Sequence, residues 1–125
     1  MIYDSENIFA KILRGEIPCS RVYESDHALA FEDINPSAPV HVLVIPKGAY
    51  ISHADFAEKA SDIEIADFNR AVGKVAKSKG LNETGFRILA NHGADARQDV
   101  FHYHVHVVGG RDLGGMIKKD TDANR

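Results

Sequence analysis

The chain has 125 residues, of which 44% are hydrophobic and 26% charged, and its formal net charge is −3. A chain of this length buries roughly two thirds of its unfolded surface in a single domain, so two independent domains are not expected and no metal or disulfide is needed to hold the core. The negative charge argues against general binding of nucleic acids or anionic membranes, and the single cysteine, Cys19, excludes an internal disulfide and a zinc site with two thiolates.

The N-terminal half of the chain predicts one short helix followed by three strands. Apolar residues at helical spacing favour a helix over residues 7–14, with Ser5 as its N-cap and Gly15 at its end. Each strand is bounded by turn residues, and the three expected strands are 21–25, 28–31 and 40–45.

The C-terminal half predicts a long helix and two more strands. An apolar stripe supports a helix over about residues 62–79, which Gly80 would end in a left-handed conformation. The strands are expected at 86–90 and 101–108, on either side of the polar loop 91–99. This order of elements predicts an α+β fold, in which one long and one short helix cover one face of a five-stranded antiparallel sheet.

We expect residues 1–112 to form one domain, and residues 113–125 to form a C-terminal tail that is poorly ordered unless a partner holds it. Asp4 and Glu6 precede the first apolar stretch, which is unlike a signal peptide. No apolar run approaches the ~20 residues of a membrane helix. A cytoplasmic location is therefore expected.

Three of the seven histidines, His102, His104 and His106, fall within five residues. Because successive strand residues alternate between faces, these imidazoles would share one face about 7 Å apart, while the residues between them face the core. Three imidazoles can bind zinc and leave a position open for water or substrate. Alternatively, one neutral imidazole can attack phosphorus while its neighbours fix its tautomer. The preceding loop favours the second chemistry, because Asn91, Gln98 and backbone N–H groups could donate to a phosphate.

The run from His102 to Val108 resembles the His-φ-His-φ-His-φ-φ motif, where φ is apolar, of the histidine triad (HIT) superfamily of nucleotide hydrolases and transferases. The likeness covers roughly residues 7–112, and its other landmarks are residues 9–12, 15–18, 30–36, 38–47, 91–95, 98 and 109–111. The chain is most similar to the Hint-type purine nucleoside phosphoramidases. His106 stands where uridylyltransferases of the superfamily have glutamine, and Gly109 and Gly110 stand where its dinucleoside polyphosphate hydrolases usually have proline.

The resemblance implies a role for each histidine of the motif. His104 would be the nucleophile and would carry a covalent nucleotidyl group. His102 and His41 would lie behind it and would orient and polarise its ring, and His106 would stabilise charge on the phosphate oxygens. A neutral imidazole suits this chemistry because its ordinary pKa, near 6.5, leaves it unprotonated at pH 7.

The resemblance also implies a nucleotide-binding set. Asp33 would bind the ribose hydroxyls, and the base would lie in an apolar slot formed by Ile17, Phe31 and Ile34. Asn91 and Gln98 would hold the phosphate, with Asp99 on the side of the leaving group.

Several of these residues have a purely structural alternative. Asp33 precedes Asn35 and Pro36 and could simply begin a turn. The three apolar residues of the base slot could belong to the core, and His41 could be a hydrogen-bonded core histidine.

Two residues depart from the pattern of the superfamily. Asp99 stands where many relatives have serine or threonine, and Arg97 stands where glycine is usual. An ionised Asp99 cannot donate a hydrogen bond. One hypothesis is that Arg97 neutralises Asp99 or reaches the phosphate, and the alternative is a solvated surface pair.

The sequence therefore predicts a hydrolase of purine nucleoside 5′-phosphoramidates and related nucleotidyl compounds, which needs no metal or other cofactor. The expected ligand is a purine nucleotide such as AMP, and the resemblance implies a homodimer with an extended sheet. The alternatives are a nucleotide-binding module with little turnover, a dinucleoside polyphosphate hydrolase and a zinc protein that uses the three histidines.

Overall fold

A computed structural model describes residues 1–119, and these residues form an α+β fold around one antiparallel sheet. The sheet has five strands in the order β1-β2-β3-β5-β4. The strands are β1 Arg21–Glu24, β2 Ala28–Glu32, β3 Val40–Pro46, β4 Phe86–Leu89 and β5 Val105–Gly109. The predicted fold class and the five-stranded antiparallel sheet are confirmed.

The structure has two helices that the sequence did not predict. Residues 1–119 contain α1 Ile8–Leu13, α2 His53–Lys59, α3 Asp62–Ser78 and α4 Leu81–Thr84. The short α1 and the long α3 agree with the prediction, whereas α2 and α4 each bury one residue, Phe56 and Leu81, and so show no apolar stripe. The N-cap of α1 is Asn7 and not Ser5, because the Asn7 side chain accepts a hydrogen bond from the Ala10 N–H at 2.9 Å.

The two faces of the sheet are covered by different helices, which corrects the expectation that the helices share one face. On one face, Val42, Val44 and Val107 pack against Val72 and Val75 of α3. On the other face, residues 29, 31, 43 and 45 pack against Phe9 and Ile12 of α1. The period of two along the strands assigns alternate residues to opposite faces, so the even-numbered His104 and His106 lie on the α1 face.

The strand that carries the histidines is shorter than predicted. β5 begins at Val105, so His102 and His104 precede it. Ahead of β5, the Tyr103 N–H donates to the Tyr50 carbonyl at 2.7 Å, and the carbonyl of Pro46, at the end of β3, accepts from the His102 ring. The predicted core set of residues 103, 105 and 107 is nevertheless buried.

The described part of the tail begins beside the edge strand β4. The Arg87 guanidinium donates hydrogen bonds to the Gly114 and Gly115 carbonyls. Residues 120–125 of the predicted tail lie outside the described residues. Within residues 1–119, no helix has the length and apolar character that crossing a membrane requires.

Candidate active site

His104 lies in a cavity of about 420 Å³ on the α1 face of the sheet. The walls come from α1, the chain before β1, β2, β3 and the loop before β5. They include residues 8, 9, 12, 17–20, 31–34, 43, 99, 100, 104 and 106. The walls are mostly apolar, and their polar side chains include those of His104, His106, Asp33 and Asp99. This combination suits a ligand with a flat apolar part and an anionic part.

The tautomer of His104 follows from its hydrogen bond. Its Nδ1 lies 2.8 Å from the backbone carbonyl of His102. A carbonyl only accepts, so Nδ1 carries the proton and Nε2 of the neutral ring has a free lone pair. The ring of Phe9 packs edge-on against the His104 ring, with centroids 5.0 Å apart. The ring is therefore held on two sides, and its Nε2 is the nitrogen with the free lone pair.

His102 supports His104 through its main chain, while its side chain is bound elsewhere. The ring is 0% exposed. Its Nε2 donates to the Pro46 carbonyl at 2.8 Å, so its Nδ1 accepts from the Tyr3 hydroxyl at 2.6 Å. Both nitrogens of the ring are thus used in structural contacts.

His41 lies behind His106, which differs from the expected place behind His104. The Ser37 N–H donates to His41 Nδ1 at 2.9 Å, so the proton of a neutral His41 is on Nε2. That Nε2 lies 2.9 Å from His106 Nδ1 and 3.3 Å from Asp33 Oδ2. His106 Nδ1 therefore accepts, and the His106 Nε2 is left as an N–H donor. The arrangement supplies one donor beside His104, whose ring centroid lies 5.2 Å from that of His106.

Burial lowers the pKa of two histidines of the triad. Burial lowers the pKa of His102 to about 4, although the Pro46 carbonyl opposes this shift. Burial and the nearby His104 and His41 lower the pKa of His106 to about 4, against the carboxylates of Asp33 and Asp99. Both rings are therefore neutral at pH 7, so His106 is a neutral hydrogen-bond donor and not an imidazolium.

The residues predicted for the base slot line the cavity together. Phe31 belongs to the α1-face core, and Ile17 packs against that core. Ile34 is 88% exposed at the mouth of the cavity, so a core role does not explain it. Asp33 lines the same cavity, and its Oδ1 also accepts the Asn35 N–H at 2.8 Å, as the turn alternative predicts. One carboxylate thus combines a turn contact with a position in the cavity.

Two of the residues predicted to hold phosphate lie outside this cavity. The Gln98 amide nitrogen donates to the Ile51 and Val100 carbonyls, and its oxygen accepts the Gly93 N–H at 3.0 Å. This side chain therefore fixes the loop before β5. Asn91 lines a separate cavity of about 330 Å³, on the side of His41 and His106.

The two unusual loop residues do not form the predicted pair. Asp99 lines the main cavity, and its Oδ1 accepts the Val100 N–H at 2.9 Å. Arg97 is exposed, and no ion pair between Arg97 and Asp99 is present among residues 1–119. The Arg97 φ of 57° is the feature that a glycine would accommodate at this position.

The hydrogen bonds disfavour metal binding by these histidines. The ligand atoms of Asp33, His41 and His106 lie within 4.8 Å of one another. A metal on His41 Nε2 would move the proton to Nδ1, where it would face the Ser37 N–H. A zinc site of His102, His104 and His106 would need a free nitrogen on His102, whose two nitrogens are both bonded.

Comparison with known proteins agrees with this geometry. The HIT domain family matches residues 14–113. The chain belongs to the HIT domain family. A 13.2 kDa HIT-like protein of Azospirillum brasilense is 60% identical over 117 residues, which cover 94% of this chain and 96% of that protein. The purine nucleoside phosphoramidase of Escherichia coli K12 is 38% identical over 112 residues, 90% of this chain and 93% of that enzyme. A solved histidine triad protein from Clostridium difficile has a TM-score of 0.82 and 44% identity, covering 91% of this chain and 98% of its own.

The family predicted from the histidine row is thus confirmed, but sequence reasoning missed two residues of this HIT site. Phe9 was predicted as part of a helix and of the family resemblance but not as a site residue, yet it contacts the His104 ring and lines the cavity. The resemblance over residues 9–12 and the apolar spacing in α1 were the signals available for it. Tyr3 precedes every predicted element, and no pattern in the sequence links it to His102, 99 residues away.

Proposed function

We propose that the protein hydrolyses purine nucleoside 5′-phosphoramidates and related nucleotidyl compounds through a covalent intermediate on His104. The observation that carries the proposal is the fixed tautomer of His104, which lines a mostly apolar cavity and whose Nδ1 proton is held by the His102 carbonyl at 2.8 Å. The 38% identity to a purine nucleoside phosphoramidase supports the same substrate class.

The chemistry would proceed in two steps. The His104 Nε2 lone pair attacks phosphorus, and the P–N bond breaks with its electron pair going to the amine, which takes up a proton from solvent and leaves. Water then attacks phosphorus, the P–Nε2 bond breaks, and the nucleotide and a proton are released. The His106 N–H would donate to a phosphate oxygen in both transition states, which lowers the barrier without a change of protonation.

Substrate binding would use both the apolar and the polar side chains of the cavity. The purine would lie between Phe31 and the aliphatic side chains of Ile17 and Ile34, since a flat base favours an apolar slot. Asp33 could accept hydrogen bonds from both ribose hydroxyls. Asp99 would lie near the phosphate and the leaving group.

The test is release of AMP from adenosine 5′-phosphoramidate by the wild type and His104→Ala, each with and without EDTA. We expect release by the wild type that EDTA does not change, and a loss of several orders of magnitude in the variant. His92→Ala is the matched control, because His92 is an exposed histidine of the loop before β5 and does not line the cavity.

Each other outcome identifies a different function. Tight AMP binding by the wild type without release of product would indicate a nucleotide-binding module. Activity that disappears only with EDTA would mean that the histidines hold a metal. Cleavage of diadenosine polyphosphates without cleavage of the phosphoramidate would indicate a dinucleoside polyphosphate hydrolase.

We also propose that the protein forms a homodimer through β4 and α3. β4 pairs only with β5 within residues 1–119, and its Ile88 is 51% exposed. Ile88 and Ile65 of α3 line an apolar groove of about 270 Å³. Antiparallel pairing of β4 with its copy would extend the sheet and cover this groove. The tail from Leu113, which starts beside β4, would then extend toward the partner.

Sedimentation tests the dimer directly. The wild type should have twice the mass of the 13.7 kDa chain, and Ile88→Lys should dissociate it because it places a charge in the interface. Ile2→Lys is the control, since Ile2 is exposed and far along the chain from β4. A wild type that sediments as a monomer at micromolar concentration would contradict the proposal.

A further inference from the structure

In the segment before α1, Tyr3 contacts the first histidine of the triad, His102. Met1 and Ile2 are largely exposed, whereas Tyr3 is half-buried. Its hydroxyl lies 2.6 Å from His102 Nδ1, and its ring packs edge-on against the His102 ring with centroids 5.6 Å apart. The start of the chain is thus attached to a fully buried histidine.

The direction of this hydrogen bond is fixed by the rest of the network. The Pro46 carbonyl binds His102 Nε2 at 2.8 Å and can only accept, so the proton is on Nε2. His102 Nδ1 then has a lone pair and no proton, and Tyr3 must donate. The other tautomer of His102 would place a nitrogen lone pair against the Pro46 carbonyl. No rearrangement within the ring can therefore replace the Tyr3 hydroxyl.

Few other hydrogen bonds hold the backbone around His102 in place. Residues 101–104 precede β5 and lie outside its ladder, so strand pairing does not hold the His102 carbonyl. The Tyr103 N–H to Tyr50 bond fixes the following peptide, and the two side-chain bonds fix the His102 ring. That same His102 carbonyl accepts the Nδ1 proton of His104.

We propose that Tyr3 is a positioning residue of the active site: its hydroxyl holds His102, whose carbonyl in turn fixes the tautomer and orientation of the nucleophile His104. This inference rests on the proposed role of His104. Tyr3 does not line the cavity, so it acts on the chemical step and not on substrate binding. Loss of its hydroxyl leaves a buried acceptor unpaired and allows the His102 peptide to shift.

The matched pair of variants is Tyr3→Phe and Tyr23→Phe. Each removes one tyrosine hydroxyl, but Tyr23 lies in β1, where its ring packs beneath Lys74 against the α3-face core. With adenosine 5′-phosphoramidate, Tyr3→Phe should lower kcat roughly tenfold and change KM less than about twofold, as expected for a displaced catalytic group. Tyr23→Phe should match the wild type.

A second measurement does not depend on turnover. Long-range ¹H–¹⁵N spectra of ¹⁵N-histidine-labelled protein report the tautomer of each ring. Tyr3→Phe should move the His104 nitrogens from the Nδ1–H pattern toward a tautomeric average, and Tyr23→Phe should leave them unchanged.

The two measurements separate this inference from the proposed function. A wild type without AMP release would overturn the proposed function, and the spectra would still decide the role of Tyr3. His104 nitrogens that are identical in Tyr3→Phe and the wild type, or an unchanged kcat in an active enzyme, would overturn the positioning role. A higher KM in Tyr3→Phe with kcat unchanged would also overturn the positioning role, because that result would mean that Tyr3 acts in substrate binding.

Discussion

The low pKa of His106 makes the stability of the protein depend on pH between about 7 and 4. The folded ring has a pKa of about 4, and an imidazole in the unfolded chain has an ordinary pKa near 6.5. Above pH 6.5 both states are neutral and the group has no effect. As the pH falls below 6.5, the unfolded chain binds a proton that the folded chain does not bind, so the free energy of unfolding decreases.

The magnitude follows from the shift. One pKa unit corresponds to about 1.4 kcal/mol, and at pH 4.5 the solution is about two units below the unfolded pKa and still above the folded one. His106 alone should therefore reduce the free energy of unfolding by about 2 kcal/mol between pH 7 and pH 4.5. His102, whose pKa is also lowered to about 4, adds a loss of the same sign.

Urea denaturation of the wild type and His106→Gln at pH 7 and pH 4.5 measures this contribution. Glutamine does not titrate, while the carboxylates of the chain are common to both proteins and cancel in the comparison. The wild type should lose about 2 kcal/mol more than the variant over this interval. Equal losses in the two proteins would refute the assignment of a depressed pKa to His106, and with it the neutral donor used in the proposed mechanism.

Three further predictions concern single residues. His106→Ala should lower kcat for adenosine 5′-phosphoramidate roughly 10²–10³-fold in steady-state kinetics, because it removes one charge-stabilising donor. A larger loss of kcat than for His104→Ala would mean that the nucleophile is wrongly assigned. Arg97→Gly should raise the free energy of unfolding by about 1 kcal/mol, because φ is 57° at this residue, and a lower thermal midpoint would contradict that. Gly109→Ala should lower it by roughly 1–3 kcal/mol, because the added Cβ would lie 2.8 Å from Leu81 Cδ2; unchanged urea denaturation would show that Leu81 can move away.

The sequence predicts most of the secondary structure because its signals are local. Apolar spacing identifies α1 and α3, and β-branched runs between turn residues identify the strands, all of which are present. The alternation around the triad places residues 103, 105 and 107 in the core even though the chain is regular only from Val105. The helices α2 and α4 escape prediction because each buries a single residue, Phe56 or Leu81, which gives no apolar periodicity to detect.

The sequence predicted which residues line the cavity better than it predicted which contacts those residues make. The residues of the base slot, Asp33 and the triad were named from the sequence, and His104, His106 and Asp33 share one cavity. Gln98 was assigned to phosphate because an amide can donate, yet its donors are used by the Ile51 and Val100 carbonyls. The residue type gives the capacity of a side chain to form hydrogen bonds, but the neighbours decide where that capacity is used.

The sequence by itself determined the fold class, the row of histidines and the family to which the chain belongs, because these follow from periodicity and from a contiguous motif. Only the tertiary structure placed His41 behind His106 and Tyr3 on His102, pairs separated by 65 and 99 residues. It also fixed the tautomers, because the proton position in each imidazole depends on whether its partner donates or accepts. Those partners are main-chain groups such as the Ser37 N–H and the Pro46 carbonyl, which every residue type provides alike and no side-chain pattern reveals.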